Sequence, residues 1–513
     1  MIELSKDNHI IGTTYSQSNY QDFIDNDNIF EDVIDDLILD EYSNSNEEKE
    51  YIKSLPKKDK RIARLSLISD NNILWSEIYK IQSSNDTKYN KIKKIILILR
   101  DYVKIADVER KSHGEILTPF KELAKPMVNL MDKYDIDFWK DPNNKVLDSS
   151  AGYGTFLILC LYKFMEGLLE VIPNEDERLK HIIENQLYYG ELQSKSVFSW
   201  LVAIDINDEY KTNIYWGSYL DDGFDFHLKT VWNVEKFDLI IQNPPYQMRK
   251  EGFKKTQPLW HLFVQKSLKL LKEDKYMIMV HPGGWRNVDG VFKETQNLLK
   301  SKKILYVKLH SFRQGQEMFD AAINFDYYIL KNTNNDILTD IETVKGDIET
   351  IDISKIEFIS DENISEIQKL VAKEGEEKVT ILYSRSLYGT DKRNMSKELK
   401  DEFKYPCIYT VKSPDKGNIP TFWYSLNKGE FFVPKVIWGN GATGIYIDEK
   451  GDYGLTQFGY AIIDNFKNLE NIKNAMQSER FIKDIMGFKH SLGDKYNRKV
   501  IATFRKDFWK EFI

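Results

Sequence analysis

The chain contains 513 residues, 42% of them hydrophobic, and carries a formal net charge of −8. This length predicts two or three domains with enough apolar residues for sizeable cores. Two cysteines, Cys160 and Cys407, are too few for a disulfide framework and favour a reducing compartment, and no apolar run reaches the ~20 residues of a membrane span.

Acidic residues are concentrated at the start of the chain. Residues 1–50 contain 14 acidic and two basic residues and so carry a net charge of −12, which leaves +4 for the remainder. The default interpretation of this acidic start is a solvated face or tail. Residues 51–108 have helical patterning, so we expect residues 1–108 to form a helical N-terminal extension.

A helix is predicted to begin close to Thr118. Apolar residues at helical spacing follow the stretch His113-Gly114-Glu115-Ile116-Leu117-Thr118-Pro119. Thr118 is suited to cap this helix and Pro119 to occupy its first position. That is an ordinary helix start, but its backbone N–H groups would also suit the carboxylate of a ligand.

A short strand followed by a glycine loop is predicted next. The strand Val146–Leu147 ends at Asp148, and an apolar helix opens after the loop. Gly152 and Gly154 allow the backbone to pass close to a ligand. A lone Gly-x-Gly is often only a turn, but the order of strand, acid, glycines and helix favours a ligand-binding loop.

A second strand is predicted to end at Glu191. This acid lies 43 residues after Asp148, whereas the acid that binds ribose hydroxyls in dinucleotide folds follows after ~20 residues. The intervening residues 161–186 have an amphipathic helical pattern interrupted near Pro173 and Asn174, so a doubled helix would absorb the difference. Glu191 is therefore a candidate ribose ligand; the alternative is a solvated acid at a strand end.

The most informative stretch of the chain is the tetrad Asn243-Pro244-Pro245-Tyr246, which follows the apolar strand Phe237–Ile241. The prolines cannot continue the strand, and chemistry in open α/β sheets occurs just outside the carboxyl ends of strands. Proline restricts the residue before it, so Asn243 is expected to be held stiffly.

This tetrad is suited to holding a planar amino group. The Asn243 side chain and the Pro244 carbonyl offer two hydrogen-bond acceptors to the amine hydrogens, which raises electron density at nitrogen. Tyr246 offers a flat face for stacking on a base. A Pro-Pro turn after a core strand is the alternative interpretation.

The C-terminal residues 337–513 have short Tyr-, Phe-, Val- and Ile-rich runs punctuated by Gly, Pro and Asn, which predict a mixed, β-containing domain. Its last segment, 480–513, interleaves Lys and Arg with the aromatic residues Phe481, Phe488, Tyr496, Phe504, Phe508 and Trp509. We expect the aromatic rings to point inward and the bases to face phosphate. An amphipathic helix packed on its own domain is the ordinary explanation.

These motifs resemble those of the gamma group of amino-specific adenine DNA methyltransferases, within the Eco57I-like and TaqI-like set. The Gly-Glu-x-x-Thr-Pro element, the glycine loop and the tetrad occur in that group's order, and the similarity covers Glu109–Leu330. Further matches are Leu259-Trp260-x-x-Phe263, Val280-His281-Pro282-Gly283-Gly284-Trp285 and a closing strand, Ala322–Leu330.

The resemblance implies an α/β fold, with a class I, Rossmann-like, S-adenosylmethionine-dependent methyltransferase core at residues 109–335. A mixed α+β domain at 336–513 would recognise the DNA target. The implied activity is site-specific transfer of a methyl group to adenine N6 in duplex DNA after base flipping. The implied setting is the cytoplasm of a bacterium or, for a viral protein, of its host. The enzyme would act as a monomer without a metal, and a separate cognate restriction endonuclease is a possible partner.

The resemblance also assigns roles to individual residues. The residues implied in catalysis are Asn243, Pro244, Pro245 and Tyr246. Those implied in holding S-adenosylmethionine are Thr118, Pro119, Asp148, Ala151, Gly152, Gly154, Glu191, Ser218 and Tyr219. Phe292 is a candidate second wall for the flipped base, and a core phenylalanine is the equal alternative.

Two departures from the family pattern affect these assignments. Ser218 and Tyr219 stand where the family often has an aspartate and an aromatic residue, so Ser218 or Asp221 would have to supply the contact to the cofactor's adenine. The glycine loop has Ser149 where proline is commoner, which predicts weaker preorganisation. The alternatives are an RNA or protein-glutamine methyltransferase, a modification subunit of a multi-subunit restriction system, and a non-enzymatic DNA-binding or antirestriction protein.

Overall fold

The computed structural model describes residues 39, 43, 45–56, 59–60, 63, 73–102, 118–248, 256–287, 290–384, 393, 395–426, 432–440, 444–486 and 496–513. These residues divide into two compact units. The first unit runs to Pro282 and also includes Glu294–Val307 and Arg313–Thr339; the second consists of Gly283–Lys293, Lys308–Phe312 and Asp340–Ile513. The domain boundaries expected from the sequence, at 108/109 and 335/336, stay predictions.

The secondary structure up to residue 342 alternates helices with strands. The α-helices are α1 Asn46–Ser54, α2 Ile73–Gln82, α3 Lys88–Tyr102, α4 Lys125–Tyr134, α5 Thr155–Gly167, α6 Glu175–Asn185, α7 Ser194–Ile204, α8 Asp222–Thr230, α9 Trp260–Leu270, α10 Lys293–Lys300 and α11 Phe312–Phe319. The main strands are β1 Val146–Asp148, β2 Leu187–Glu191, β3 Asn213–Trp216, β4 Phe237–Gln242, β5 Leu271–Pro282, β6 Lys302–His310, β7 Phe325–Asn334 and β8 Thr339–Glu342. Shorter elements are a π turn Phe120–Ala124, the 3-10 turns Phe138–Lys140 and Gly283–Arg286, and a two-residue ladder between Gln247–Met248 and Gln257–Pro258.

The predicted helical extension is present in the described part of residues 1–108, as α1 to α3. Ser45 caps α1 by accepting a hydrogen bond from the Glu48 backbone N–H. Ile78 in α2 and Ile92 and Ile95 in α3 are buried in the main core cluster of the first unit. Much of the acidic segment 1–50 lies outside the described residues.

The doubled helix predicted between the first two strands is confirmed as α5 and α6. Helix α5 ends at Gly167, and α6 begins after Asn174, whose side chain accepts a hydrogen bond from the Glu177 backbone N–H. The extra helix accounts for the long interval between Asp148 and the acid after β2.

Seven strands of the large sheet lie in the order β3-β2-β1-β4-β5-β7-β6. Strands β3, β2, β1, β4 and β5 pair in parallel, whereas β7 pairs antiparallel with β5. The fold-class prediction is confirmed: this arrangement is a class I, Rossmann-like α/β core. The closing strand begins at Phe325, three residues later than predicted, because residues 320–324 connect α11 to it.

The parallel pairing decides where polar loops meet. Strands β1 and β4 are adjacent and fully buried, which explains their nearly continuous apolar sequence. Because β1 to β4 run in the same direction, the loops that follow them emerge at one edge of the sheet. The glycine loop, Glu191, Ser218 and the Asn243 tetrad all follow these strands.

The second unit is mixed α and β, as predicted. Its further strands are β9 Ile348–Ile351, β10 Thr380–Tyr383, β11 Met395–Ser396, β12 Tyr405–Val411, β13 Pro420–Ser425, β14 Lys435–Gly439, β15 Ile445–Asp448, β16 Gly454–Leu455 and β17 Gly459–Ile463. Strands β10 to β17 form two four-stranded sheets, β10-β17-β14-β15 and β11-β13-β12-β16, whereas β9 pairs with β8. Its helices are α12 Ile364–Gln368, α13 Leu469–Gln477, α14 Glu479–Met486 and α15 Arg498–Ile501, with 3-10 turns Ile353–Lys355, Pro414–Lys416, Phe466–Asn468 and Phe508–Phe512.

The aromatic rings near the C-terminus point inward, as expected. Phe481, Tyr496, Phe504 and Phe508 are buried in one core cluster of the second unit, while Phe488 lies outside the described residues. The same unit contains a buried ion pair between Lys435 and Asp448, at 2.6 Å. These aromatic residues therefore contribute to packing.

Candidate active site

A cleft lies at the carboxyl edge of β1 to β4 and belongs entirely to the first unit. The space between its walls, part of it open solvent, amounts to about 940 Å³. Its lining residues are Thr118, Ser149, Ser150, Ala151, Gly152, Tyr153, Thr155, Glu191, Leu192, Gln193, Gly217, Ser218, Tyr219, Leu220, Asn243, Pro244, Pro245, Met248, Leu259 and Phe263. Three motifs separated by up to 125 residues are therefore brought together.

The glycine loop after β1 requires glycine at two positions for different reasons. Gly152 has φ +51° and lines the cleft, and a Cβ atom there would meet nothing within 4 Å. Gly154 has φ +76°, and a Cβ atom there would lie 2.1 Å from the Trp200 ring. Trp200 stacks on Tyr189, whose hydroxyl donates to the Gly152 carbonyl at 2.5 Å. Gly154 thus supports the loop from behind, while Gly152 faces the cleft.

Asp148 lies behind the loop and does not line the cleft. Its side chain is buried, with Oδ1 accepting from the Ser150 backbone N–H at 3.2 Å and Oδ2 without a hydrogen-bond partner. Burial raises the pKa of this carboxyl well above its usual range, and the nearby Glu191 carboxyl adds to the effect. Asp148 is therefore placed to support the loop.

Glu191 connects the loops after β1 and β2. Its Oε2 accepts from the Gly152 backbone N–H at 2.8 Å, and its Oε1 accepts from the N–H groups of Leu192 and Gln193 at 2.7 and 2.9 Å. Burial raises the pKa of the Glu191 carboxyl, while the three backbone hydrogen bonds oppose that rise. Oε1 already accepts two hydrogen bonds, but Oε2 accepts one and keeps a second lone pair, so it can still accept from a ligand hydroxyl.

The loop after β3 supplies one side of the cleft. Ser218 and Tyr219 both line it, and the Tyr219 ring packs against the Phe263 ring at 5.2 Å between centroids. Asp221, the alternative to Ser218, occupies the N-cap position of α8 without a capping hydrogen bond to its side chain, and it is absent from the lining residues. This wall combines a hydroxyl with aromatic surface.

The tetrad after β4 places Asn243, Pro244 and Pro245 on the cleft. The Asn243 amide nitrogen, Nδ2, donates to the Thr118 hydroxyl at 3.2 Å. Its carbonyl oxygen, Oδ1, is shielded from solvent and has no hydrogen-bond partner. An acceptor of this kind is costly unless a ligand supplies the missing donor.

The helix that begins near Thr118 differs from the predicted start. Pro119 occupies the N-cap position of a π turn, Phe120–Ala124, and its carbonyl accepts from the N–H groups of Leu123 and Ala124. Pro119 does not line the cleft, whereas Thr118 does and contacts Asn243. The contact with Asn243 is tertiary, so the local capping pattern gave no sign of it. The preceding residues His113 to Leu117 lie outside the described residues.

Tyr246 and Phe292 are also absent from the residues that line the cleft. Tyr246 is 6% exposed, and its ring packs edge-on against Phe319 at 6.1 Å between centroids. Phe292 belongs to the second unit, where its ring lies beside Gly284. The stacking roles assigned to these two rings stay predictions.

A buried network links three of the cleft's loops. The Ser149 hydroxyl donates to Gln242 Oε1, and Gln242 Nε2 donates to Ser267 Oγ at 2.6 Å. The Tyr219 hydroxyl lies 3.1 Å from the same Ser267 oxygen. Ser149 stands where the family pattern commonly has proline, so a hydrogen bond to the end of β4 anchors the loop instead.

Several lining residues were not selected from the sequence. Leu192, Gln193, Leu220 and Met248 carry no chemical signal of their own and line the cleft because they follow strand ends. Phe263 was part of a quoted family match but was given no role. Its position one helical turn after Leu259, which also lines the cleft, could have identified it.

The fold of the first unit is that of a class I methyltransferase core. The strand order is that of the predicted class I core, and the glycine loop after β1, the acid after β2 and the first three residues of the Asn243 tetrad after β4 all line one cleft. Residues 154–319 match the family profile described as Eco57I restriction-modification methylase. The Eco57I-like part of the resemblance is confirmed for these residues, whereas membership of the gamma group stays a prediction.

Comparison with known proteins gives distant relatives. A protein of Mycoplasma pneumoniae, named an uncharacterized adenine-specific methylase, is 23% identical over 327 residues, which cover 51% of this chain and 75% of that protein. A modification subunit of a putative type I restriction enzyme from Vibrio vulnificus YJ016 has 18% identity and a TM-score of 0.38, covering 57% of this chain and 63% of its own. The type IIL restriction-modification enzyme MmeI in complex with DNA has 11% identity and a TM-score of 0.49, covering 80% and 70%.

Among the described residues, none of the helices combines the length and apolarity needed to cross a bilayer.

Proposed function

We propose that this chain is a site-specific DNA methyltransferase that transfers a methyl group from S-adenosylmethionine to N6 of adenine. The observation that carries the proposal is the Asn243 Oδ1 atom, a buried acceptor without a partner in a residue that lines the cleft. An exocyclic amine supplies the N–H that this oxygen lacks. The name of the Mycoplasma pneumoniae relative is consistent with adenine as the substrate.

The residues present fit the proposed donor. Glu191 Oε2 would accept a hydrogen bond from a ribose hydroxyl, and Gly152 leaves open space for close approach. Ser218, Tyr219 and Phe263 would border the adenine ring, and the Ser150 hydroxyl is a further buried group without a partner. When bound, the donor supplies an electrophilic methyl group on a sulfonium.

The chain's own residues would then activate the amine. Asn243 Oδ1 and the Pro244 carbonyl would each accept a hydrogen bond from one N–H group of the amine. These hydrogen bonds raise electron density at the nitrogen and favour a pyramidal geometry. The two prolines restrict the backbone of Asn243, so the acceptors are held in place before the reaction. Positioning and electrostatic stabilisation carry the catalysis.

Duplex DNA is the proposed substrate and the C-terminal unit its proposed reader. The adenine amine is inaccessible inside the base stack, so the target base would be flipped out. Arg498 lies 4.0 Å from the Tyr383 ring and Lys397 lies 5.2 Å from the Trp423 ring, so the second unit presents cationic and aromatic groups side by side. We place the enzyme in the cytoplasm, acting as a monomer, with a separate cognate endonuclease as a partner.

The test is methyl transfer from labelled S-adenosylmethionine to unmethylated plasmid DNA, followed by nucleoside analysis. We expect N6-methyladenine from the wild-type chain and none from Asn243→Ala, which should still bind S-adenosylhomocysteine in calorimetry. Asn207→Ala is the matched control, because Asn207 is exposed and its side-chain amide donates a hydrogen bond to Glu209. Label in RNA or protein but not in DNA, or full activity of Asn243→Ala, would contradict the proposal.

A further inference from the structure

We propose that Thr118 is a positioning residue that orients the Asn243 amide so that its oxygen, and not its nitrogen, faces the target amine. The inference rests on the proposed function. It adds a contact between the Thr118-Pro119 element and the Asn243 tetrad that neither motif contains on its own. Its basis is the hydrogen bond from Asn243 Nδ2 to Thr118 Oγ1, at 3.2 Å.

The orientation of an asparagine side chain is not fixed by its shape. The oxygen and nitrogen of the amide are similar in size, so the surrounding hydrogen bonds decide which of them occupies a position. Here Thr118 takes the nitrogen, and Oδ1 is left without a partner. A rotated amide would present N–H groups to the N–H groups of the amine, which is unproductive.

Both ends of this hydrogen bond are held by proline. Thr118 precedes Pro119 and Asn243 precedes Pro244, although 125 residues separate them in the chain. A residue before proline has a restricted backbone. The Pro119 carbonyl also accepts two backbone hydrogen bonds, from Leu123 and Ala124, and both of those residues are fully buried. The Thr118 hydroxyl is thus carried by a restricted backbone and can hold the Asn243 amide in one orientation.

This geometry separates two roles for Thr118. If the residue only contacted the donor, its loss would weaken donor binding. If it orients Asn243, its loss lowers the rate of the chemical step, because a rotated amide still occupies the same volume. The Thr118→Val variant keeps the shape and removes the hydroxyl, whereas Thr118→Ser keeps the hydroxyl and removes a methyl group.

The first experiment measures single-turnover methylation of unmethylated plasmid DNA, with calorimetry for S-adenosylhomocysteine. We expect Thr118→Val to methylate about tenfold more slowly, which corresponds to about 1.4 kcal/mol, with donor affinity within about twofold of wild type. Thr118→Ser should stay within about threefold of the wild-type rate. Thr230→Val is the control, since Thr230 is exposed and its hydroxyl contacts only the Phe226 carbonyl of its own helix.

Three results would overturn the inference: an unchanged rate in Thr118→Val, equal losses in the valine and serine variants, or a loss explained by donor affinity alone. A crystal structure of Thr118→Val gives a readout that does not depend on activity. We expect a rotated or disordered Asn243 side chain there, and an unchanged one would refute the positioning role. If the wild-type chain methylated no adenine, the proposed function would fail. The crystal structure of Thr118→Val would still show whether Thr118 orients the Asn243 side chain.

Discussion

The two glycines of the glycine loop, Gly152 and Gly154, should differ in how strongly alanine affects stability and ligand binding. Both have positive φ, so alanine at either position costs about 1–2 kcal/mol of stability through backbone strain. At Gly154 the new Cβ would also lie 2.1 Å from the Trp200 ring, which adds about 1–3 kcal/mol of overpacking. We therefore expect Gly154→Ala to lose about 2–5 kcal/mol and Gly152→Ala about 1–2 kcal/mol.

Donor binding should show the reverse order. The Cβ of Gly152→Ala would stand in open space at the cleft, where the donor is expected to pass. Affinity for S-adenosylhomocysteine should fall about tenfold or more, equivalent to at least about 1.4 kcal/mol. In Gly154→Ala, the fraction of folded protein should bind with a smaller loss.

The assays are guanidinium unfolding monitored by circular dichroism and titration calorimetry on the folded proteins. Wild type and both variants are compared at the same temperature and salt. Equal losses of stability in the two variants would refute the assignment of Trp200 as the obstacle at Gly154. Unchanged donor affinity in Gly152→Ala would refute the placement of that residue on the donor's path.

Two further predictions concern other groups of the first unit. Glu191→Gln should weaken S-adenosylhomocysteine binding about tenfold, since one of its two acceptor oxygens is replaced, while the exposed Glu170→Ala should leave the calorimetric affinity unchanged. His281 is fully buried and stacks on Trp260, and burial lowers its pKa to about 4. The unfolded chain has a histidine pKa near 6.5 and so binds more protons between these values, which means that stability falls by about 3 kcal/mol as the pH drops from about 6.5 to about 4. Stability should therefore depend less steeply on pH for His281→Gln than for wild type, as measured by guanidinium unfolding at several pH values. The same dependence on pH in both proteins would contradict the assignment to His281.

The sequence predicted the elements that depend on local pattern. Strand β2 ends at Glu191 and strand β4 ends just before Asn243, because apolar runs are interrupted there by an acid and by prolines. The break between α5 and α6 was readable at Asn174, since a capping residue follows proline. Parallel pairing then brings the strand ends to one edge without further information.

Contacts between distant segments could not be predicted in this way. The Thr118 hydroxyl that takes the Asn243 amide, and the Trp200 ring behind Gly154, depend on packing between residues remote in sequence. Tyr246 illustrates the same limit: an aromatic residue after two prolines suggested a stacking face, yet its ring packs against Phe319, 73 positions later. Periodicity reports which face of an element is apolar, but not which neighbour covers it.

The central position of β1 has a consequence for biosynthesis. This strand is the first of the sheet to leave the ribosome, yet it pairs with β2 on one side and β4 on the other. The Ser149 hydroxyl likewise cannot form its hydrogen bond until Gln242, 93 residues further along the chain, has been synthesised. Closing so long an interval is slow compared with local helix formation. The glycine loop therefore gains its hydrogen bond to Gln242 only after β4 has been synthesised, and we expect the cleft to be completed late in folding.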